Sequence, residues 1–138
     1  MLFRSFGVFT DASRRLGKTL LIAGGIGITP VRALLEEMRG DLVVLYRVLE
    51  EGDVIFRDEL DGLAAAHGSE LRVIAGDHAT EEGRRLLAPA HLRELVPDLD
   101  EREVFLCGPP AMTDALARNL KAADVPRRHI HIERFALT

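Results

Sequence analysis

The sequence predicts an α/β domain in which five parallel strands form one doubly wound sheet with helices on both faces. Two observations carry this prediction. Short apolar runs alternate with segments of helical period, and a glycine-containing turn follows two of the runs. The strands are predicted at residues 19–23, 42–48, 71–75, 103–107 and 129–135. We expect the order 3-2-1-4-5 across the sheet.

The predicted strands differ in how they should pack. The first three are nearly continuous apolar runs, which is typical of strands that helices cover on both faces. The fifth alternates polar residues with Ile130 and Ile132, a pattern that favours the edge of the sheet.

Four helices are predicted between the strands. Thr29 is expected to cap the first, and Asp53 the second, with Phe56 among the residues turned inward. The third follows Pro89, and the fourth begins at Pro109-Pro110 because proline is favoured in the first turn of a helix.

The composition limits the classes of function that remain. The chain has 138 residues, 47% of them hydrophobic, and a net charge of −4, which suits one folded domain and provides no overall positive field for nucleic acid or an anionic membrane. Its single cysteine, Cys107, excludes an internal disulfide and a Cys-rich metal or iron–sulfur site, and favours a reducing, cytoplasmic location. The longest apolar run, residues 19–28, is too short to span a bilayer.

The strongest motif is the run Ala-Gly-Gly-Ile-Gly-Ile-Thr-Pro at residues 23–30, where a buried strand turns into a helix. Glycines there let backbone amides approach a pyrophosphate, and the helix N-terminus favours an anion. An alternative remains, because such glycines also serve only to reverse the chain. No third glycine follows Gly27 at the spacing of the common dinucleotide fingerprint. A Walker lysine is also missing, which argues against an NTPase.

A second glycine turn, Cys-Gly-Pro-Pro-Ala-Met at residues 107–112, again ends a strand and opens a helix. Two such turns on neighbouring central strands would face one crevice, at the place where open α/β sheets bind ligands. The pair therefore predicts a nucleotide site more strongly than either turn alone.

Together the two motifs resemble the NAD(P)-binding domain of the ferredoxin-NADP reductase family, which includes ferric reductases and flavohaemoprotein reductases. Residues 6–10 resemble the end of the family's flavin domain. Tyr46-Arg47 with residues 56–60 resembles its second βα unit, and residues 133–135 resemble its C-terminal ending. The resemblance spans nearly the whole chain.

The resemblance implies that residues 1–14 are the tail of an N-terminal flavin-binding domain and that residues 15–138 are the NAD(P)-binding domain. The whole protein would be an NAD(P)H:flavin-dependent oxidoreductase. It would pass a hydride to FAD or FMN and then single electrons to an iron, haem or iron–sulfur partner, and the isolated chain would be inactive. A nucleotide-sensing or protein-interaction module of the same fold is the alternative. A methyltransferase would have no use for the second motif.

Site residues also follow from the resemblance. Thr29 and Cys107 would flank the nicotinamide, and Glu133 would orient its carboxamide as the third catalytic candidate. Phe135 would shield the flavin. Hydride transfer needs two rings held face to face in a site sheltered from water rather than an acid or base at the transferring atom. The remaining cofactor-binding candidates at the two turns are Gly24, Gly25, Gly27, Pro30, Gly108, Pro109 and Met112.

Several of these residues have simpler interpretations. Cys107 would need a base and an oxyanion hole to act as a nucleophile, and a buried inert thiol is the other alternative. His129, His131 and Glu133 alternate along the last strand, but a solvated face explains them better than a metal does, and we expect no metal site. Glu133 could be a surface charge and Phe135 a core aromatic.

The choice between NADH and NADPH rests on residues 76–78, Gly-Asp-His, where family members that prefer NADPH have Ser-Arg. Asp77 would accept a hydrogen bond from a free 2′-hydroxyl and repel a 2′-phosphate, which weakly favours NADH. Arg84 or Arg85 could instead pair with a 2′-phosphate, and Arg47 is a further candidate. Residues 77–88 are rich in charge and are expected to form an irregular surface loop that contacts the ligand.

Overall fold

The computed structural model describes residues 2–3, 17–77 and 79–136, and a six-stranded sheet lies at its centre. The order across the sheet is β1-β6-β5-β2-β3-β4. All neighbours from β2 to β6 are parallel, which confirms the predicted order of five strands. The sixth strand, β1, pairs antiparallel with the end of β6 and was not predicted. The strands are β1 Leu2–Phe3, β2 Lys18–Gly24, β3 Asp41–Val48, β4 Glu70–Ala75, β5 Glu103–Gly108 and β6 Ile130–Ala136.

Helices cover both faces of the sheet. One core contains Leu21, Val44 and Phe105 from the strands and lies under α1 and α2. The other contains Leu20 and Leu106 and lies under α4 and α5. This arrangement is the doubly wound fold, in which alternate residues of each central strand enter opposite cores. The helices are α1 Ile28–Glu37, α2 Arg57–His67, α3 Glu81–Arg85, α4 Pro89–Leu95 and α5 Pro110–Ala122.

The predicted starts of the first two helices are wrong. The turn Gly25–Gly27 is a 3-10 turn that leads directly into α1, so the helix begins at Ile28 and Thr29 lies inside it. The Asp53 side chain accepts a hydrogen bond from the Glu50 amide and completes the capping box of a separate 3-10 turn, whose N-cap is Glu50, instead of capping α2.

Phe56 was predicted to turn inward, and it does not. It precedes α2 with a left-handed φ of 59°, and it is 36% exposed. Its ring lies 5.4 Å from the Arg32 guanidinium carbon, so a cation–π contact on the surface replaces core packing.

Two expectations about β4 and the segment that follows it are also corrected. β4 is an edge strand that is only half-buried, because no strand pairs with its far side in the described part of the sheet. Residues 77–88 are not irregular throughout, since the Thr80 hydroxyl accepts from the Gly83 amide and caps the short helix α3.

A buried arginine fastens the amino-terminal ends of the strands. The Arg102 side chain is 5% exposed, donates to carboxylate oxygens of Asp98 and Asp41 at 2.8 and 2.9 Å, and donates to the Thr19 carbonyl at 2.9 Å. This network lies at the end of the sheet opposite the glycine turns, so it stabilises the sheet without entering the candidate site.

Candidate functional site

The two glycine turns lie side by side at the carboxyl ends of β2 and β5. Ala23 and Cys107 are direct partners in the parallel register. A Cβ atom on Gly27 would lie 2.1 Å from the Cys107 carbonyl oxygen and 3.1 Å from the Gly108 nitrogen. The backbones of the two turns are therefore in contact, and only glycine fits at position 27.

The Met112 side chain occupies the space that a Cβ atom would need at Gly24 and at Gly108, which the sequence did not indicate. A Cβ on Gly24 would lie 1.9 Å from the Met112 sulfur, and one on Gly108 would lie 2.7 Å from its terminal methyl carbon. The half-buried thioether thus packs across both turns on the α5 side of the sheet. These two glycines make room for a side chain in this structure.

The outer side of the first turn is open. Gly25 has a φ of 57° and is exposed, and no atom of the described residues lies within 4 Å of the position that a Cβ would take. Thr29 is also exposed, whereas Pro30 is buried. No side chain caps α1 or α5, whose first turns lack acidic residues, so both helix dipoles present their positive ends here.

Cys107 is completely buried in the core under α1. Burial raises the pKa of its thiol well above the usual range, and the neighbouring Glu133 carboxylate adds to the effect. A thiol that stays protonated and lies out of contact with solvent is a poor nucleophile. The geometry favours an inert or ring-flanking role over nucleophilic catalysis.

Glu133 lies beside Cys107 in the register of β5 and β6 and is 1% exposed. No described residue bonds to its Oε1, and burial raises the pKa of its carboxyl group. The interpretation of Glu133 as a surface charge is therefore wrong. A buried acceptor without a partner is costly, which makes the Glu133 carboxylate a candidate for contact with a bound ligand.

The solvated face predicted for the last strand is also wrong. His131 bonds to the fully buried Glu103 and stacks on Phe105 with ring centroids 4.6 Å apart. His129 precedes β6 in a 3-10 turn, so the three residues do not share one strand. In the described part of the chain, no group of three His, Cys, Asp or Glu side chains has a geometry that could hold a metal.

Asp77 and two of the candidate arginines, Arg47 and Arg84, meet at the carboxyl ends of β3 and β4. Arg47 Nη1 donates to the Val48 carbonyl at 2.6 Å, and its pKa is lowered by burial and partly restored by Asp77. The Asp77 Oδ1 accepts from the Ala79 amide at 2.8 Å. Arg84 Nη1 donates to the Ala79 carbonyl at 3.0 Å, so both guanidinium groups flank the loop that carries Asp77.

The predicted residues therefore form two groups at the carboxyl end of the sheet, one around β2, β5 and β6 and the other around β3 and β4. The Pro109 residue precedes α5 and is exposed. The side chain of Phe135, residue His78 and residues 4–14 lie outside the described part, so those predictions stay untested. Sequence reasoning missed two exposed apolar side chains at this edge, Ile26 and Leu49, which are 38% and 52% exposed. Their only signal in the sequence is a position within two residues of the end of a strand.

Comparison with known proteins agrees with this geometry. The family model described as "Oxidoreductase NAD-binding domain" matches residues 21–118. The ferredoxin reductase component of 3-ketosteroid-9-alpha-monooxygenase from Mycolicibacterium smegmatis is 39% identical over 120 residues, which are 84% of this chain and 33% of that protein. Ferredoxin--NADP reductase B from Sorangium cellulosum is 32% identical over 145 residues, covering 94% of this chain and 59% of that protein.

Solved structures share the fold. The cytochrome P450 reductase of Amycolatopsis aligns with a TM-score of 0.68 and 25% identity over 86% of this chain and 38% of that one. The flavohem-like FAD/NAD binding domain of nitric oxide dioxygenase from Vibrio cholerae aligns with the same TM-score at 24% identity, over 88% and 52% of the two chains.

The chain spans between a third and three-fifths of the length of the two sequence relatives. No helix in the described residues is both long enough and apolar enough to cross a bilayer. The family match covers most of the chain and includes both glycine turns, and the chain belongs to the oxidoreductase NAD-binding domain family.

Proposed function

We propose that this chain, from residue 15 onward, is the NAD(P)H-binding domain of a larger flavin-dependent oxidoreductase. Residues 1–14 would connect it to a flavin-binding domain. The observation that carries the proposal is the pairing of two glycine turns in backbone contact with a buried, unpartnered carboxylate, Glu133, on the adjacent strand. That combination provides anion-binding helix ends and a polar group for the reactive ring within one edge of the sheet.

The residues present fit a reduced nicotinamide dinucleotide. The open side of Gly25 and the uncapped N-terminus of α1 can hold the pyrophosphate through backbone amides. Glu133 Oε1 has no donor among the described residues, and a carboxamide NH₂ is a donor of the right kind. Arg47 on β3 and Asp77 after β4 lie one and two strands from β2, where the adenosine end of an extended dinucleotide would lie.

When bound, NAD(P)H supplies a hydride, which FAD or FMN takes up as two electrons and one proton. The residues of this chain position and shelter the ring. Cys107 keeps its thiol neutral, so it places no charge beside the positive ring that hydride loss creates. Glu133 orients the carboxamide through Oε1, and the exposed Thr29 hydroxyl is available on the other side. Holding the ring in one orientation is how such a site lowers the barrier.

NADH is the favoured cofactor. The Asp77 carboxylate uses Oδ1 for the Ala79 amide, and its second oxygen can accept from a free ribose hydroxyl. Arg47 and Arg84 each donate to a backbone carbonyl through Nη1, which lowers their availability for a 2′-phosphate. The electrons would leave the flavin singly for an iron, haem or iron–sulfur acceptor. Similar proteins bear names such as ferredoxin reductase component and NADH-cytochrome b5 reductase.

The test mixes the intact flavin-containing protein with NADH or NADPH without oxygen and follows the flavin absorbance. We expect rapid bleaching of the flavin and a lower KM for NADH than for NADPH. In Glu133→Gln the hydride-transfer rate should fall at least tenfold, while the Kd for NADH should stay within about threefold of the wild-type value. Glu94→Gln, an exposed carboxylate on α4, is the matched control and should change neither quantity. Binding without any bleaching would favour the nucleotide-sensing alternative and overturn the proposal.

A further inference from the structure

We propose that a groove between α5 and β6 is the docking surface for an acidic protein that takes single electrons from the flavin. The proposal rests on the proposed function for the origin of those electrons. The groove has a volume of about 310 Å³. Its apolar floor consists of Ala117, Ile130 and Ile132, and its rim carries the three cations Arg118, Lys121 and Arg127.

The charge of this surface is opposite to that of the whole chain. The chain has a net charge of −4, yet three exposed cations surround one groove. None of the three makes an ion pair with another described residue. Asp114 also lines the groove but is engaged in another interaction. Unpaired cations around an apolar centre are the complement of an acidic protein surface with an apolar patch.

A protein partner suits the groove better than a small anion or a nucleic acid. All three cations are exposed, and none of the described residues that line the groove is a buried polar side chain able to hold a small ligand in one orientation. The floor is apolar, whereas a nucleic acid would present phosphates to it. Carboxylates on an opposing protein can reach the rim while apolar side chains cover the floor.

The groove also lies close to the proposed ring site. Ile132 and Ile130 precede Glu133 on β6 by one and three residues, which correspond to about 3 and 10 Å along a strand. Their side chains face α5, whereas Glu133 faces the opposite side of the sheet. A partner bound there would lie beside β6, the strand that carries Glu133. Oxidation of one NADH to NAD⁺ and a proton releases two electrons, so two partner molecules would each take up one.

The experiment compares two triple variants of the intact reductase that change the net charge equally. The groove variant is Arg118→Gln, Lys121→Gln and Arg127→Gln. The control is Arg39→Gln, Arg57→Gln and Arg72→Gln, three exposed arginines outside the groove. An acidic plant-type [2Fe–2S] ferredoxin serves as the protein acceptor, and an uncharged quinone reports NADH oxidation without protein docking. Biolayer interferometry with immobilised ferredoxin measures the Kd independently of turnover.

We expect the groove variant to raise the ferredoxin Kd and KM at least tenfold and to weaken their salt dependence, while quinone reduction changes less than twofold. The control variant should leave the ferredoxin Kd, the ferredoxin KM and the rate of quinone reduction within twofold of the wild type. Equal effects of both variants, no effect of either, or no ferredoxin binding by the wild type would each overturn the proposal. So would loss of quinone reduction in a folded groove variant, which would assign the groove to the flavin domain. A DNA oligonucleotide that binds this groove more tightly than ferredoxin would also overturn it. Absence of quinone reduction in the wild type, with groove-dependent ferredoxin binding intact, would refute the proposed function alone.

Discussion

Gly27 provides the sharpest test of the backbone contact between the two turns. In Gly27→Ala the new Cβ would lie 2.1 Å from the Cys107 carbonyl oxygen and 2.6 Å from its carbon. Ordinary contact begins at 3.4 Å, so the turns would have to separate by about 1.3 Å. The Cys107 carbonyl belongs to the central strand β5 and cannot swing away as a flexible side chain would.

Overpacking of this kind typically costs 1–3 kcal/mol. Since the clashing atoms are backbone, we expect Gly27→Ala to lower the free energy of unfolding by about 2–3 kcal/mol, measured by urea unfolding and circular dichroism. Gly62→Ala is the matched control. It lies in α2 with no atom within 4 Å of its Cβ position and should stabilise by about 0.5–1 kcal/mol. A Gly27→Ala protein within about 0.5 kcal/mol of the wild type would refute the reasoning, because the turns could then separate at no cost.

Three further predictions concern buried polar groups. Burial raises the pKa of Glu133 above its ordinary 4.5, so the folded state holds this proton to higher pH than the unfolded state. We therefore expect the free energy of unfolding of the wild type to fall relative to that of Glu133→Gln as the pH rises from 4.5 through the folded pKa. Below pH 4.5 the two free energies should change with pH in parallel, as urea unfolding at a series of pH values can measure. Parallel curves over the whole pH range would contradict this prediction. Native Cys107 should resist iodoacetamide at pH 8 and react after denaturation, as mass spectrometry can detect; fast native labelling would show that the thiol is accessible. Arg102→Ala should lower the free energy of unfolding, measured with urea, by about 3–5 kcal/mol. The control Arg72→Ala, which breaks an exposed pair with Glu70, should lower it by about 0–1 kcal/mol. Similar losses in the two variants would mean that the burial of Arg102 does not matter.

The sheet was predictable because its central strands are buried on both faces. β2, β3 and β5 appear in the sequence as apolar runs, and glycine turns after β2 and β5 indicate which strands lie at the centre. β4 is also a mostly apolar run in the sequence, but it lies at an edge of the sheet. Composition alone does not distinguish an edge strand of this kind from a central strand. β1 has only two residues, too few to show any period.

The errors at helix starts arise because tertiary contacts, which no local sequence pattern shows, decide where the backbone turns. Asp53 is a favoured cap, but whether a cap belongs to an α-helix or to a 3-10 turn depends on where the backbone turns next, and that is decided by tertiary contacts. Phe56 adopts a left-handed conformation and contacts Arg32 from another helix, a pairing that no local pattern indicates. Thr80 caps α3 within a segment whose charge had suggested a loop.

At the site, residue types were predictable and their surroundings were not. Alternation along β6 correctly put His131 and Glu133 on one face, yet that face is buried, because Glu103 and Phe105 on β5 engage the histidine. The glycines were recognised as a nucleotide turn, but the structure assigns Gly27 to a backbone contact and Gly24 to packing with Met112, which leaves Gly25 facing open space. A glycine-rich turn therefore serves two purposes here, because the same absence of side chains that locks two strands together also exposes the amides that a pyrophosphate would need.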